Sequence, residues 1–160
     1  MSWFIRNMRD VQWYGDPFCV YGDFEQGEPF PEFGLNFVVA WPGQPFAIYH
    51  REDHQEGFLV VSGECLLIVE GEEHRLKQWD YFHCPAGVAH GLVGAGEGPV
   101  LVVAVGGRVG PANPVYLVDP TASKHGVGVE QETAVPAEAY AAFPQPEPIP
   151  FREEFLPGSG

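Results

Sequence analysis

The chain reads as an all-β protein, a sandwich or closed barrel built from many short strands. Short apolar runs recur about every 8 to 12 residues, the spacing of strands in such folds. The breaks between them are turn-forming, with 20 Gly and 16 Pro among 160 residues. A hydrophobic fraction of 45% is enough to bury one core at this length.

The elements follow in order. Residues 1–34 are mixed and rich in aromatics, with 18–21 as a strand candidate. Residues 35–41 form a clear strand ended by Pro42-Gly43. A strand over 46–52 follows, then a polar turn at 53–55, which as a hairpin brings Glu56 back beside His50 and Glu52. Residues 57–61 are an apolar run closed by Ser62-Gly63-Glu64, and 65–70 is another strand, turned by Gly71-Glu72. Short strands at 74–76 and 79–84 flank Lys77-Gln78, and Pro85-Ala86-Gly87 turns the chain into strands at 90–93 and 100–105.

Beyond Gly106-Gly107 the composition changes. Pro111, Pro114 and Pro120 punctuate an extended segment, residues 136–143 are a short helix candidate opened by Pro136, and 144–150 read as polyproline-like chain. The organisation expected is a barrel over 1–106, with its core motifs in 43–105, and a proline-rich arm over 107–160. Phe143, Phe151, Phe155 and Leu156 give that arm apolar anchors for docking on the barrel or on a partner subunit.

Charge and cysteine content narrow the function classes. Eight basic against 22 acidic residues give a net charge of −14. Such a surface repels phosphate backbones and anionic lipid, so no nucleic acid and no membrane partner is expected. The first residues show no signal-peptide pattern, and no apolar run nears the roughly 20 residues of a membrane span. Cys19, Cys65 and Cys84 are odd in number and unclustered, which suits a reducing cytoplasm rather than a disulfide framework. Each is read as a small hydrophobe.

Two segments carry the chemistry. In an extended strand alternate side chains share a face, so His50 and Glu52 point the same way, about 7 Å apart at about 3.3 Å per residue. Glu56 opens the next strand. Phe46 and Ile48 share the parity of His50, and Phe58 and Val60 that of Glu56, an apolar lining for a small-molecule pocket. His90 follows the 85–87 turn. His50, Glu56 and His90 offer two nitrogens and one oxygen, the set of open non-haem metal sites, and Glu52 adds a fourth ligand. His54 has the parity to replace Glu52 but lies in the turn. A solvated acidic turn beside an ordinary strand histidine is the plainer alternative. His83 is expected to point outward, and His74 and His125 show no ligand spacing.

With these residues in place the chain resembles a cupin. That family's first motif closes with His-x-His, three or four residues, Glu, six residues and Gly; here His50-x-Glu52 is followed by three residues, Glu56, six residues and Gly63. The second motif, Pro-x-Gly-x-x-His, is Pro85-x-Gly87-x-x-His90, with Gly94 where the family often has Asn. Glu52 stands for the second His, Trp79 for the second motif's opening Gly, and Gly43 falls one residue early for the first. The resemblance implies a double-stranded β-helix, or jelly roll, usually homodimeric. It implies a divalent metal ion (Fe, Zn, Mn or Ni) held by His50, Glu56 and His90 in the barrel mouth. Glu52 is then either a fourth ligand, its second carboxylate weakening the ion as a Lewis acid, or a catalytic base. An oxygenase acting on a small molecule leads the functional expectations. An isomerase or lyase, a non-catalytic binding protein and a metal-free barrel follow.

Overall fold

The computed structural model describes residues 3–157. Two antiparallel sheets face each other. The larger has seven strands in the order β12-β1-β2-β3-β10-β5-β8, and the smaller five in the order β11-β4-β9-β6-β7. The strands are β1 Gln12–Gly15, β2 Cys19–Asp23, β3 Phe33–Ala40, β4 Pro45–Arg51, β5 Glu56–Ser62 and β6 Glu64–Val69. They continue with β7 Glu72–Lys77, β8 Tyr81–Cys84, β9 His90–Ala95, β10 Val100–Gly107, β11 Val115–Tyr116 and β12 Glu147–Ile149. Two short helices, α1 Pro120–Lys124 and α2 Pro136–Ala139, lie between β11 and β12. No helix among the described residues is long and apolar enough to cross a membrane.

Period-two alternation sends side chains to both faces of each sheet. Between the sheets lie Phe58, Val60, Cys65, Leu67, Leu92, Val100 and Val102. Outside the larger sheet, Val39 and Leu101 pack with Trp13, Val20 and Phe155. Outside the smaller sheet, Ile68 and Val93 pack with Ala122 of α1 and Val127. The run Val100-Leu101-Val102 is therefore buried on both sides, because segments from both ends of the chain cover the outer wall.

Several expectations are corrected. The chain from His50 to Glu56 is not a hairpin: β4 lies in the smaller sheet and β5 in the larger, so residues 52–55 cross between sheets. The hairpin joining β6 and β7 turns at Glu70-Gly71, both at positive φ (49° and 79°), one residue earlier than expected. The helix opened by Pro136 stops at Ala139. The stretch after Pro144 is not free polyproline chain, because β12 pairs with β1, Trp13 opposite Ile149. Strands β1 and β11 carried no recognised signal.

Alternation in β4 is also interrupted. Its register against β9 shifts twice, between Pro45 and Ala47 and between Ala47 and His50. Phe46 and Ala47 both pack toward the inter-sheet core, while Ile48 joins Tyr116 and Ala139 in a separate cluster. Simple parity with His50 therefore does not hold along the strand.

Trp79, at the position where the family motif has Gly, takes φ +74°. Its N–H donates to the Val60 carbonyl at 2.8 Å, which fixes the turn before β8, while its side chain is two-thirds exposed. A left-handed backbone position is thus held here by a residue other than Gly.

Two stability measurements follow. Phe155 is buried, its ring 4.9 Å from that of Trp13. Phe155→Ala should cost about 3 to 5 kcal/mol in chemical denaturation, as for a core aromatic; a cost near zero would mean that the arm contributes nothing to the fold. Trp79→Gly should raise stability by about 0.5 to 1 kcal/mol, because release of left-handed strain exceeds the entropy cost of glycine.

Candidate metal centre

The two histidines come from neighbouring strands of one sheet. His50 on β4 and His90 on β9 stand opposite each other in register, their ring centroids 4.9 Å apart. Glu56 arrives from the facing sheet at the first residue of β5. Its Oε2 lies 3.1 Å from His90 Nε2 and 3.9 Å from His50 Nε2. One ligand atom from each of the three residues lies within 4.8 Å of the other two.

Each imidazole is oriented from behind. His50 Nδ1 lies 2.7 Å from the Ile48 carbonyl, and His90 Nδ1 lies 3.2 Å from the Val88 carbonyl and 3.2 Å from Cys84 Sγ. A carbonyl only accepts, so Nδ1 carries the proton in both rings and Nε2 faces the centre. His90 Nε2 and Glu56 Oε2 are buried and, although 3.1 Å apart, are not aligned as donor and acceptor. A buried charged or polar atom left incomplete is costly, unless something else completes it.

The rim is stitched from the two motif loops. Gly87, at φ +83°, donates its N–H to the Glu52 carbonyl at 2.7 Å, and Ala89 N–H donates to Glu70 Oε1 at 2.7 Å. The segment after β10 completes it: Asp53 N–H donates to the Ala112 carbonyl, and Asn113 Nδ2 to Asp53 Oδ2, both at 2.7 Å. Gly94, at the motif's Asn position, has no room for a side chain, since a Cβ there would sit 2.1 Å from the Trp41 carbonyl oxygen.

Glu52 lies at the edge. Its Oε2 is 3.9 Å from His50 Nε2 and its Oε1 is 3.7 Å from His54 Nδ1, but it does not join the three residues whose ligand atoms converge. His54 is turned aside, with Nε2 3.2 Å from the Gly110 carbonyl. His83 is exposed on β8; His74 faces Glu72 and His125 faces Glu73 at the surface.

Aromatic rings form a collar. Phe58 and Phe82 lie 5.4 and 5.9 Å from the His90 ring, and Tyr116 lies 5.4 Å from that of His50. Val60 is fully buried in the barrel core beneath them, and Phe46 and Ile48 line a separate cavity at the side. Tyr116, Phe82 and Cys84 are the site neighbours that sequence reasoning missed. A two-residue strand has no period to detect, and a lone Cys carries no sign of its neighbour.

The electrostatics follow from burial and crowding. Burial, then the charge of His90, lowers His50. For His90 burial acts downward, but contacts with Cys84 and Glu56 outweigh it and raise the imidazole to about 10. Without a cation, His90 thus holds a proton more tightly than a free imidazole does. Glu52 is raised by burial and then by Glu56, with His54 and His90 opposing. The thiols are free; burial pushes Cys19 and Cys65 up to about 12.

Comparison with known proteins agrees with this geometry. The family described as "Cupin domain" matches residues 36–106. The quercetin 2,3-dioxygenase of Bacillus subtilis is 33% identical over 58 residues, 36% of this chain. The match spans only 17% of that protein's length. Among solved structures, a sugar phosphate isomerase of the cupin superfamily from Silicibacter pomeroyi superposes with a TM-score of 0.59 at 18% identity, covering 72% of this chain and 87% of that one. The polyketide cyclase RemF of Streptomyces resistomycificus superposes with a TM-score of 0.56 at 16% identity, covering 67% and 80%. At these identities the two structures speak for the fold alone. Two facing sheets, paired motifs converging on one point and the matched segment together identify residues 36–106 as a cupin domain.

Proposed function

We propose that the chain is a metal-dependent enzyme acting on a small organic molecule, with an oxygenase-type reaction as the leading class. The observation that carries this reading is the pair of buried, uncompleted atoms, Glu56 Oε2 and His90 Nε2, with His50 Nε2 turned to the same point. The separations of 3.1 and 3.9 Å are shorter than the span of about 4.2 Å between two ligands on opposite sides of one ion with bonds of about 2.1 Å. The donor set therefore fits a divalent ion of the Fe, Zn, Mn or Ni type, held by His50, Glu56 and His90. When bound, such an ion supplies Lewis-acid polarisation and, if redox-active, electron transfer at its open positions.

The chain's own residues do the rest. The Ile48 and Val88 carbonyls hold the two rings in their ligating tautomer. Phe58, Phe82 and Tyr116 exclude water. Glu52, at the rim, takes or returns a proton at the carboxylate, and its raised affinity for that proton suits it to the task. The local identity to a dioxygenase supports the first reading. The same Glu52 supports a second one, an isomerase or lyase in which it moves a proton to or from carbon.

Two tests follow. Protein prepared without chelator should bind about one equivalent of divalent metal, and His50→Ala, Glu56→Gln and His90→Ala should each weaken binding by about 100-fold or more; unchanged metal content in all three removes the site. The pH dependence has a fixed sign. The proton on His90 stabilises the metal-free fold below about 6.5, and that contribution is lost as pH rises toward about 10. Metal must displace the same proton, so calorimetry should show about one proton released per ion and affinity rising about tenfold per pH unit across this window.

Glu52→Gln should retain metal and lower turnover by about 100-fold or more. Oxygen uptake that requires bound iron supports the oxygenase. Activity with zinc in the absence of oxygen supports the isomerase or lyase instead.

A further inference from the structure

Beside the metal centre lies a second concave feature. A cavity of about 480 Å³ opens between β2, β3 and β4 on one side and the arm from Pro136 to Pro146 on the other. Its wall is aromatic: Phe18, Tyr21, Phe46, Tyr140 and Phe143 all line it. Phe18 and Phe143 meet edge to face at 5.2 Å, which ties the arm to the N-terminal segment across one end. No Lys, Arg or His lines it among the described residues, and its one charged residue is the anionic Asp16. That carboxylate is already engaged, accepting from Phe18 N–H at 2.7 Å and Cys19 N–H at 3.0 Å.

The cavity and the metal centre share a wall. Ile48 lines the cavity, and its carbonyl accepts from His50 Nδ1. Tyr140 lines the cavity as well, and its ring packs edge-on against Tyr116, which lies against His50. Burial, then the neighbouring Tyr116, pushes the Tyr140 phenol up to about 12, so it stays neutral and able to donate a hydrogen bond.

We propose that this cavity is a second ligand site, which binds a flat, uncharged, aromatic molecule beside the metal centre and discriminates against phosphorylated and carboxylated ones. Its chemistry is complementarity by exclusion. A phosphate or carboxylate buried here would find no cation and would face Asp16 in a chain of net charge −14. A planar ring finds aromatic faces on several sides and neutral donors, the Tyr140 hydroxyl among them, the combination that pockets for small apolar ligands use.

The test uses the full chain and β-naphthol as probe, with β-naphthoate, naphthyl phosphate and glucose phosphate as charged comparators, by titration calorimetry. β-Naphthol should bind one saturable site at least about tenfold tighter than any comparator. Ala137→Trp, an exposed position on the cavity rim, should weaken it by about tenfold or more. Tyr140→Phe should weaken it about three- to tenfold, the loss of one hydrogen bond. Absence of saturable binding, a charged comparator binding as tightly, or Ala137→Trp binding undiminished would each overturn the inference. Metal content, measured on the same samples, separates the two readings. Protein that binds metal but not β-naphthol loses the cavity inference alone, and protein that binds β-naphthol but no metal loses the metal centre alone.

Discussion

The centre depends on one change of sheet. Between His50 and Glu56 the chain leaves the smaller sheet and enters the larger one. Had it folded back as a hairpin, the carboxylate would lie beside the imidazoles on a single wall. Because it crosses, Glu56 meets them from the opposite wall, and the ligand atoms converge inside the barrel instead of along its surface. The Gly87 N–H to Glu52 carbonyl bond holds this crossing against the second motif's loop, so the two motifs are joined by backbone as well as by their shared target.

A second constraint comes from outside the barrel. Both faces of the larger sheet are apolar, and a sheet of that kind is stable only if each face is covered. Phe151, Phe155 and Leu156 cover its outer face together with Met8 from the other end of the chain. The preceding part of the same arm delivers Tyr116 to His50, and Tyr140 with Phe143 to the barrel's flank. The arm that stabilises the fold thus also shapes the space next to His50, Glu56 and His90.

Much of this was legible in the sequence. Most strands from β3 to β10 are apolar runs between turn formers, and those runs survive folding as strands. The spacing of His50, Glu56 and His90 is a local property of two motifs, so the three residues could be named without coordinates. What was not legible depends on tertiary choice. No pattern in residues 52–55 tells a hairpin from a crossover. Strand β11 is two residues long, and β12 holds a proline, so neither has a period. The register shifts in β4 break the parity that assigned Phe46 and Ile48 to the lining of His50. Trp79 and Gly94 depart from the family pattern for reasons that only backbone geometry reveals: one keeps a left-handed turn without glycine, and the other yields its side chain to the Trp41 carbonyl.

Pairing of β1 with β12 joins residues 13 and 149, almost the full length of the described chain. Contacts so distant in sequence form late, since the loop they close must first lose its freedom. During synthesis the outer surface around Trp13 and Leu101 stays bare until Phe155 leaves the ribosome. The nascent barrel is therefore most vulnerable to sticking to other chains until Phe155 docks, and a chain cut between β12 and Phe155 keeps that surface exposed.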